Sequence, residues 1–180
     1  LTDSGASLLI AGVEGSPVPA ALEFSGTRLS LGGAIPGYAS LEDALESMPA
    51  TPVSDERAGL DMLYSSGTTG RPKGIKLDLP DLVDIAEPGA LVMVAQAFGL
   101  SADTVYLSPA PIYHAAPLRW SMAVQRLGGT VVMMRHFDAE GALRAIERYR
   151  CTAGQFVPTH FIRMLKLPEE VRARYDVSSM

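Results

Sequence analysis

The stretch Tyr64-Ser65-Ser66-Gly67-Thr68-Thr69-Gly70-Arg71-Pro72-Lys73-Gly74 decides how the chain is read. It holds three glycines, four aliphatic hydroxyls, one proline and two cations in eleven residues. Glycines let a backbone turn through angles other residues avoid, and let it come close to a ligand. Hydroxyls and turned backbone N–H groups donate to anionic oxygens, and Arg71 and Lys73 bring positive charge to the same oxygens. That is the chemistry of a phosphate cradle; the plain alternative is an exposed Gly/Thr turn with no ligand. Upstream, Asp61-Met62-Leu63-Tyr64 reads as the end of a buried strand holding the loop on a rigid edge. The loop is not a P-loop, which needs Gly, four residues and then Gly-Lys-Ser/Thr. Five positions on from Gly67 stands Pro72, and Gly74 follows Lys73 where a hydroxyl is required.

Around this stretch the composition is that of a folded chain: 180 residues, 47% hydrophobic and 19% charged. The net charge of −5, with no basic run of five or more, argues against nucleic acid as a partner. A local phosphate cradle remains compatible with it. The single cysteine, Cys151, excludes an intrachain disulfide and a cysteine metal cluster, and reads as a small buried hydrophobe. No apolar run reaches the length of a membrane span, and no signal peptide is visible; the expected compartment is the cytoplasm. The first residue is Leu1 rather than Met, and the sequence stops without a tail after Met180. The expectation is a piece of something longer.

Along the chain, Ser7–Val13 is an apolar run expected as a buried strand, and a brief strand is expected at Arg28–Leu31. Ser40-Leu41-Glu42-Asp43 has the look of a capping box ahead of Leu41, Leu45 and Met48 at helical spacing. Pro49–Arg57 is a linker and the best place for an internal boundary, near 49–60, though not one between independent domains. Ile75–Leu79 alternates like a half-exposed strand. From Ser101 on, strands and helices alternate with short connections. Helices are expected at Ala90–Phe98, at Ala115–Leu127, after Asp138, and from Pro158 with Phe161, Met164 and Leu165 inward. After Asp138, Leu143, Ile146 and the Arg150 stem share a face. Strands are expected at Thr104–Leu107, Thr130–Met134 and Thr152–Val157. The pattern predicts an α/β fold, a mainly parallel sheet covered by helices. Ligands of such sheets sit beyond the carboxyl ends of the strands, which would gather Thr68, His114 and Thr159 around one crevice.

His114 follows two prolines and an aromatic residue in Ser108-Pro109-Ala110-Pro111-Ile112-Tyr113-His114. At a strand end its imidazole can serve a site, or a structural hydrogen bond. Tyr113 and Trp120 read as core in preference to pocket wall, His160 as a helix cap or a site residue, and His136 as a solvated strand end. The pairs Glu42/Asp43 and Glu169/Glu170 belong on polar helix faces. There is no Gly-x-Ser-x-Gly elbow, and no two histidines stand at metal-ligand spacing.

Ser66, Gly67, Thr68, Thr69, Gly70, Pro72, Lys73 and Gly74 match the phosphate-binding signature of the adenylate-forming enzymes, and the stretch closely resembles it. These enzymes are the acyl-CoA synthetases, the adenylation domains of peptide synthetases and the luciferases. Pro111-Ile112-Tyr113-His114 resembles the family's second signature, whose histidine lines the acyl pocket beside the reacting carboxylate. Phe156-Val157-Pro158-Thr159-His160-Phe161 is similar to the stretch forming one side of the acyl tunnel.

The resemblance implies an acid–thiol ligase of acyl-CoA synthetase type. Such an enzyme makes an acyl-adenylate from ATP and a carboxylic acid, then passes the acyl group to coenzyme A. It implies that residues 1–180 are part of the large N-terminal (AMP-binding) domain, with the C-terminal domain and its catalytic lysine outside the chain. The implied nucleotide contacts are Ser65, Ser66, Gly67, Thr68, Thr69, Gly70, Arg71, Lys73 and Gly74, with Lys73 and His114 catalytic. Mg²⁺ is expected with the nucleotide, without identifiable ligands here. The chain departs from the family in lacking a Tyr-Gly-x-Thr-Glu stretch and the ribose-gripping aspartate, and in Ile75-Lys76-Leu77-Asp78 after the loop. The piece alone is therefore expected to have little or no adenylating activity. Amino-acid-activating relatives place an aspartate shortly after the second signature. Here Ala115-Ala116-Pro117-Leu118 is apolar, which favours a fatty or aromatic acid, fatty by preference. The alternatives are a non-catalytic nucleotide- or acyl-binding module of the same fold, and a structural α/β domain with an idle loop.

Overall fold

Leu8–Gly12 (β1) and Thr27–Leu31 (β2) pair in parallel, with Ile10 opposite Leu29, and the short Ala39–Ser40 (β3) joins the far side of β2. The computed structural model describes residues 3–14, 21–65, 72–78 and 85–180. It divides into two compact units, Leu1–Ile85 and Ala86–Met180.

In the first unit Ser30 is buried at the centre of the β1–β2–β3 sheet and donates to the Ala39 carbonyl at 3.3 Å. The helix Leu41–Glu46 (α1) begins where the capping signature places it: Ser40 Oγ accepts from the Asp43 N–H at 3.0 Å. Glu42, one position short of the reciprocal place in a capping box, accepts from the Gly32 N–H at 2.8 Å and from the Ser40 hydroxyl at 3.3 Å. The Gly32 bond holds its carboxyl below the usual range. Downstream, Leu63–Ser65 (β4) and Lys73–Ile75 (β5) form a two-stranded antiparallel ribbon. The sequence pattern had suggested a buried strand ending at Tyr64 and a separate strand at Ile75–Leu79. Both are displaced, because the partner of β4 is the chain just beyond the loop and not a covered sheet; β5 thus starts at Lys73.

The second unit is built on Val105–Ser108 (β6), the middle strand of a parallel sheet. Thr130–Met133 (β7) lies on one side and Ala153–Gly154 (β8) on the other. The helices are Ala90–Ala97 (α2), Ala115–Arg126 (α3), Ala139–Tyr149 (α4), Pro158–Leu165 (α5) and Glu169–Arg172 (α6). The β6–α3–β7–α4–β8 alternation is the expected α/β pattern, with helices on both faces of the sheet.

Strand alternation divides β6 between two layers. Leu107 points into a core with Ala139, Ala142, Ile146, Cys151 and Met164. Tyr106 and Ser108 point the other way, toward α3, which packs on α2 through Ala123, Val92 and Ala95. The buried Cys151 matches its reading as a small hydrophobe, and burial pushes its thiol pKa up. Gly128 ends α3 with φ 84°, a backbone angle that side chains disfavour. Asp138 caps α4 by accepting from the Gly141 N–H at 2.6 Å.

Three local expectations change. Thr152–Val157 contributes only Ala153–Gly154 as strand, since the chain turns into α5 at Val157. Phe161 and Leu165 are not inward: the buried stripe of α5 is His160 and Met164, and Leu165 is 67% exposed. Arg150 does not extend the buried face of α4. It takes the left-handed conformation as the C-cap, φ 51°, and pairs with Asp176 at 2.7 Å.

Candidate functional site

The β4–β5 ribbon sets the two ends of the glycine-rich stretch side by side. Ser65 and Lys73 are direct partners in its register, so their side chains share one face of the ribbon. Both are exposed, which leaves the hydroxyl and the ammonium accessible to an anion. Ser66, Gly67, Thr68, Thr69, Gly70 and Arg71 lie outside the described residues. Tyr64 and Gly74 are the neighbouring partners and face the opposite way. A Cβ on Gly74 would lie 3.0 Å from Tyr64 Cζ and 2.5 Å from Met62 Cε. The missing side chain thus makes room for the tyrosine ring. Tyr64 donates to Asp3 Oδ2 at 2.9 Å, and this bond raises the phenol's pKa by making its proton harder to remove.

In the second unit His114 stands beyond the carboxyl end of β6 as the N-cap of α3. Its N–H donates to the Pro111 carbonyl at 3.2 Å, and its own carbonyl accepts from Leu118 N–H at 3.2 Å. These bonds fix the backbone from which the exposed imidazole projects, with its ring centroid 4.4 Å from that of Tyr113. Thr159, in the first turn of α5, lies beyond the carboxyl end of β8, at the same end of the sheet. Thr68, the third residue of the expected crevice, is outside the described residues. The residues just before His114 in the chain, Pro111, Ile112 and Tyr113, line a cavity of about 560 Å³ together with Met133, Arg135 and His136, among others.

The expectation of Tyr113 as core is overturned: it is 78% exposed, because the Pro111–His114 turn carries it off the end of the sheet. Trp120 does pack against the α2–α3 cluster, edge to face with Phe98 at 5.6 Å between centroids. His160 is buried and serves the start of α5, its Nδ1 accepting from the Val157 N–H at 3.3 Å. Burial, and after it Arg163, pushes its pKa down.

A second cavity in the same unit, about 510 Å³, was not read from the sequence. Its wall includes Phe98, Leu100, Tyr106, Trp120, Phe156 and Phe161. The available signal was a lone tyrosine in the apolar run of β6. Among the described residues no group of three or more His, Cys, Asp or Glu converges as a metal site. No helix among them is long and apolar enough to cross a membrane.

The profile of the AMP-binding enzyme family matches residues 1–180. Over 151 residues, 82% of this chain, the sequence is 36% identical to 4-chlorobenzoate–CoA ligase of a Pseudomonas species; the match covers 28% of that protein. Over 178 residues, 96% of this chain, it is 27% identical to a probable CoA ligase of Humulus lupulus, covering 31% of it. The fold superposes on the inhibitor-bound N-terminal domain of FACL13 from Mycobacterium tuberculosis with a TM-score of 0.73. That pair is 27% identical, and the match covers 100% of this chain and 44% of the solved one. The chain belongs to the AMP-binding enzyme family. It spans about a third or less of the length of the curated relatives it matches.

Proposed function

We propose that this chain supplies the phosphate grip and part of the acid-binding wall of an ATP-dependent acid–CoA ligase. The parent enzyme activates a carboxylic acid as an acyl-adenylate and transfers the acyl group to coenzyme A. The observation that carries the reading is the β4–β5 ribbon, which registers Ser65 against Lys73 at the two ends of the Gly/Thr segment. In this reading Ser66, Thr68 and Thr69 donate to the β- and γ-phosphates. Lys73, with Arg71, offsets the charge that develops on the departing pyrophosphate. Gly67, Gly70 and Gly74 permit the shape of the turn. His114 stands beside the carboxylate, positioned by the Pro111–His114 turn. Holding carboxylate and triphosphate together against their repulsion is the larger part of the task. Mg²⁺ enters the proposal only as the counter-ion that the nucleotide brings with it.

The acid is proposed to be fatty, from the apolar Ala115–Leu118 segment that follows His114. An aromatic acid is the second reading, favoured by the relative named for 4-chlorobenzoate. ATP–pyrophosphate exchange by the full-length protein, with fatty, aromatic and amino acids offered in turn, tests both. Exchange driven by fatty or aromatic acids, and reduced at least 10²-fold by Lys73→Met, is expected. Exchange only with amino acids, or full activity in Lys73→Met, refutes the assignment. Calorimetric ATP binding without exchange would instead support the non-catalytic module. The 180-residue chain alone is expected to exchange little or nothing.

A further inference from the structure

Of the three histidines, His114 and His136 are exposed and only His160 is buried. The N-cap of α5 is Val157, whose side chain offers no acceptor, and Pro158 after it has no N–H. His160 fills the gap. Its Nδ1 accepts from the Val157 N–H at 3.3 Å, and its own backbone N–H donates to the Val157 carbonyl at 2.9 Å. The ring stacks on Phe137, with 4.1 Å between centroids and 23° between planes. It also lies edge to face with Phe156 at 6.2 Å.

This arrangement requires the neutral ring. Because Nδ1 accepts, the neutral ring carries its proton on Nε2. A second proton turns Nδ1 into a donor, and two N–H groups then face each other. An imidazolium on the Phe137 face would ordinarily be attracted to it, but the Arg163 guanidinium already lies 4.8 Å over that ring. Burial, and after it Arg163, therefore disfavours the charged ring. Other charged groups on the surrounding elements are engaged elsewhere. Asp138 caps α4, Glu140 holds Tyr175 and Arg144, Glu147 accepts from the Asp176 N–H, and Arg148 lies over the Tyr149 ring. Arg135 and His136 line the 560 Å³ cavity, Lys166 stands at the far end of α5, and residues 152–158 carry no charge.

The bond between Val157 and His160 lies within a stretch bounded by two aromatic residues. Phe156 and Phe161 have centroids 5.2 Å apart, and both line the 510 Å³ cavity. We propose that His160 is a positioning residue: its neutral imidazole pins the first turn of α5, and its protonation releases that turn and weakens use of the acid. The effect on the acid rests on the ligase reading above; the pin rests on the geometry around Val157. The pinned ring has a pKa below that of a released one, which lies near the ordinary histidine value of about 6.5. The pin is therefore intact above about pH 6.5 and loosens as the pH falls below it.

The test compares full-length wild type with two variants: His160→Asn keeps an acceptor for the Val157 N–H without titrating, and His160→Leu has none. Hydrogen exchange at the Val157 amide, resolved by mass spectrometry and corrected for intrinsic pH dependence, reads the pin from pH 8 to 5.5. Acid-dependent pyrophosphate exchange with octanoate and with benzoate reads the consequence over the same range. Wild type is expected to lose Val157 protection about fivefold, with the acid KM rising by a similar factor and kcat changing less than about twofold. His160→Asn is expected to hold protection and KM within about twofold across the range. His160→Leu is expected to show the unprotected amide and the raised KM at every pH; should it fail to fold, the contrast between wild type and His160→Asn decides. Protection independent of pH in wild type, or a slope that survives in His160→Asn, overturns the inference and leaves the ligase reading standing. An acid KM with the same pH profile in wild type and His160→Asn overturns it as well. The expected pattern at Val157 with no exchange for any acid offered supports the pin and sinks the ligase reading.

Discussion

Leu107 and Leu165 are leucines of the same unit whose truncation should cost very different amounts of stability. Leu107 is 0% exposed in the middle strand and packs against Ala142, Ile146, Cys151 and Met164. Leu107→Ala removes three carbons, worth about 2.4 kcal/mol at about 0.8 kcal/mol each. The hole that remains adds to this, because its walls are a strand and a helix already packed backbone to small side chain. Ala142 and Cys151 have no exposed surface through which they could close in. The expected loss is about 3–4 kcal/mol. Leu165 sits on α5 and is 67% exposed, so Leu165→Ala forfeits about a third of the transfer term and leaves no cavity. Alanine's better helix propensity offsets a few tenths of a kcal/mol more. The expected loss is below about 1 kcal/mol. Urea denaturation of the full-length protein, followed by circular dichroism, reads both, with an unchanged m-value as the check that only stability moved. A Leu107→Ala loss under about 1.5 kcal/mol, or a Leu165→Ala loss as large as that of Leu107→Ala, would refute the layer assignment.

Three further outcomes are expected. Asp138→Ala removes the acceptor for the Gly141 N–H and should cost about 1 kcal/mol in thermal or urea denaturation, while Asp138→Asn should cost a few tenths. His160 is held neutral by burial and Arg163, so its folded-state pKa lies below the unfolded value near 6.5. Below about pH 6.5 the unfolded chain takes up the proton first, and stability falls until the folded-state pKa is passed. In stability measured from pH 8 to 5, His160→Asn, which keeps an acceptor for the Val157 N–H, should flatten that slope. Gly74→Ala should press on the Tyr64 ring and weaken its bond to Asp3. Ultraviolet titration should then show the Tyr64 pKa falling back toward its ordinary value; an unmoved value would mean that the ring has room.

Much of the chain was legible from local chemistry, because local chemistry is what sets it. Asp138 and Ser40 announce helix starts through a side chain three residues from the N–H it accepts. Gly99 and Gly128, both at positive φ, end helices where few other residues could. The order of β6, α3, β7, α4 and β8 followed from apolar runs and breakers, and the phosphate-binding signature from eight residue identities. Tertiary structure alone decided which faces count. Phe161 and Leu165 have the composition of core residues, yet α5 meets the protein along the stripe of His160 and Met164. The partner of β4 was equally invisible, since a three-residue strand does not encode whether a sheet or the returning chain will satisfy it. The same holds for Tyr106. Nothing in its neighbours along the chain marks it as 2% exposed, which follows from the elements packed around β6. Burial is a property of what surrounds a group, and the chain's own order does not specify those surroundings.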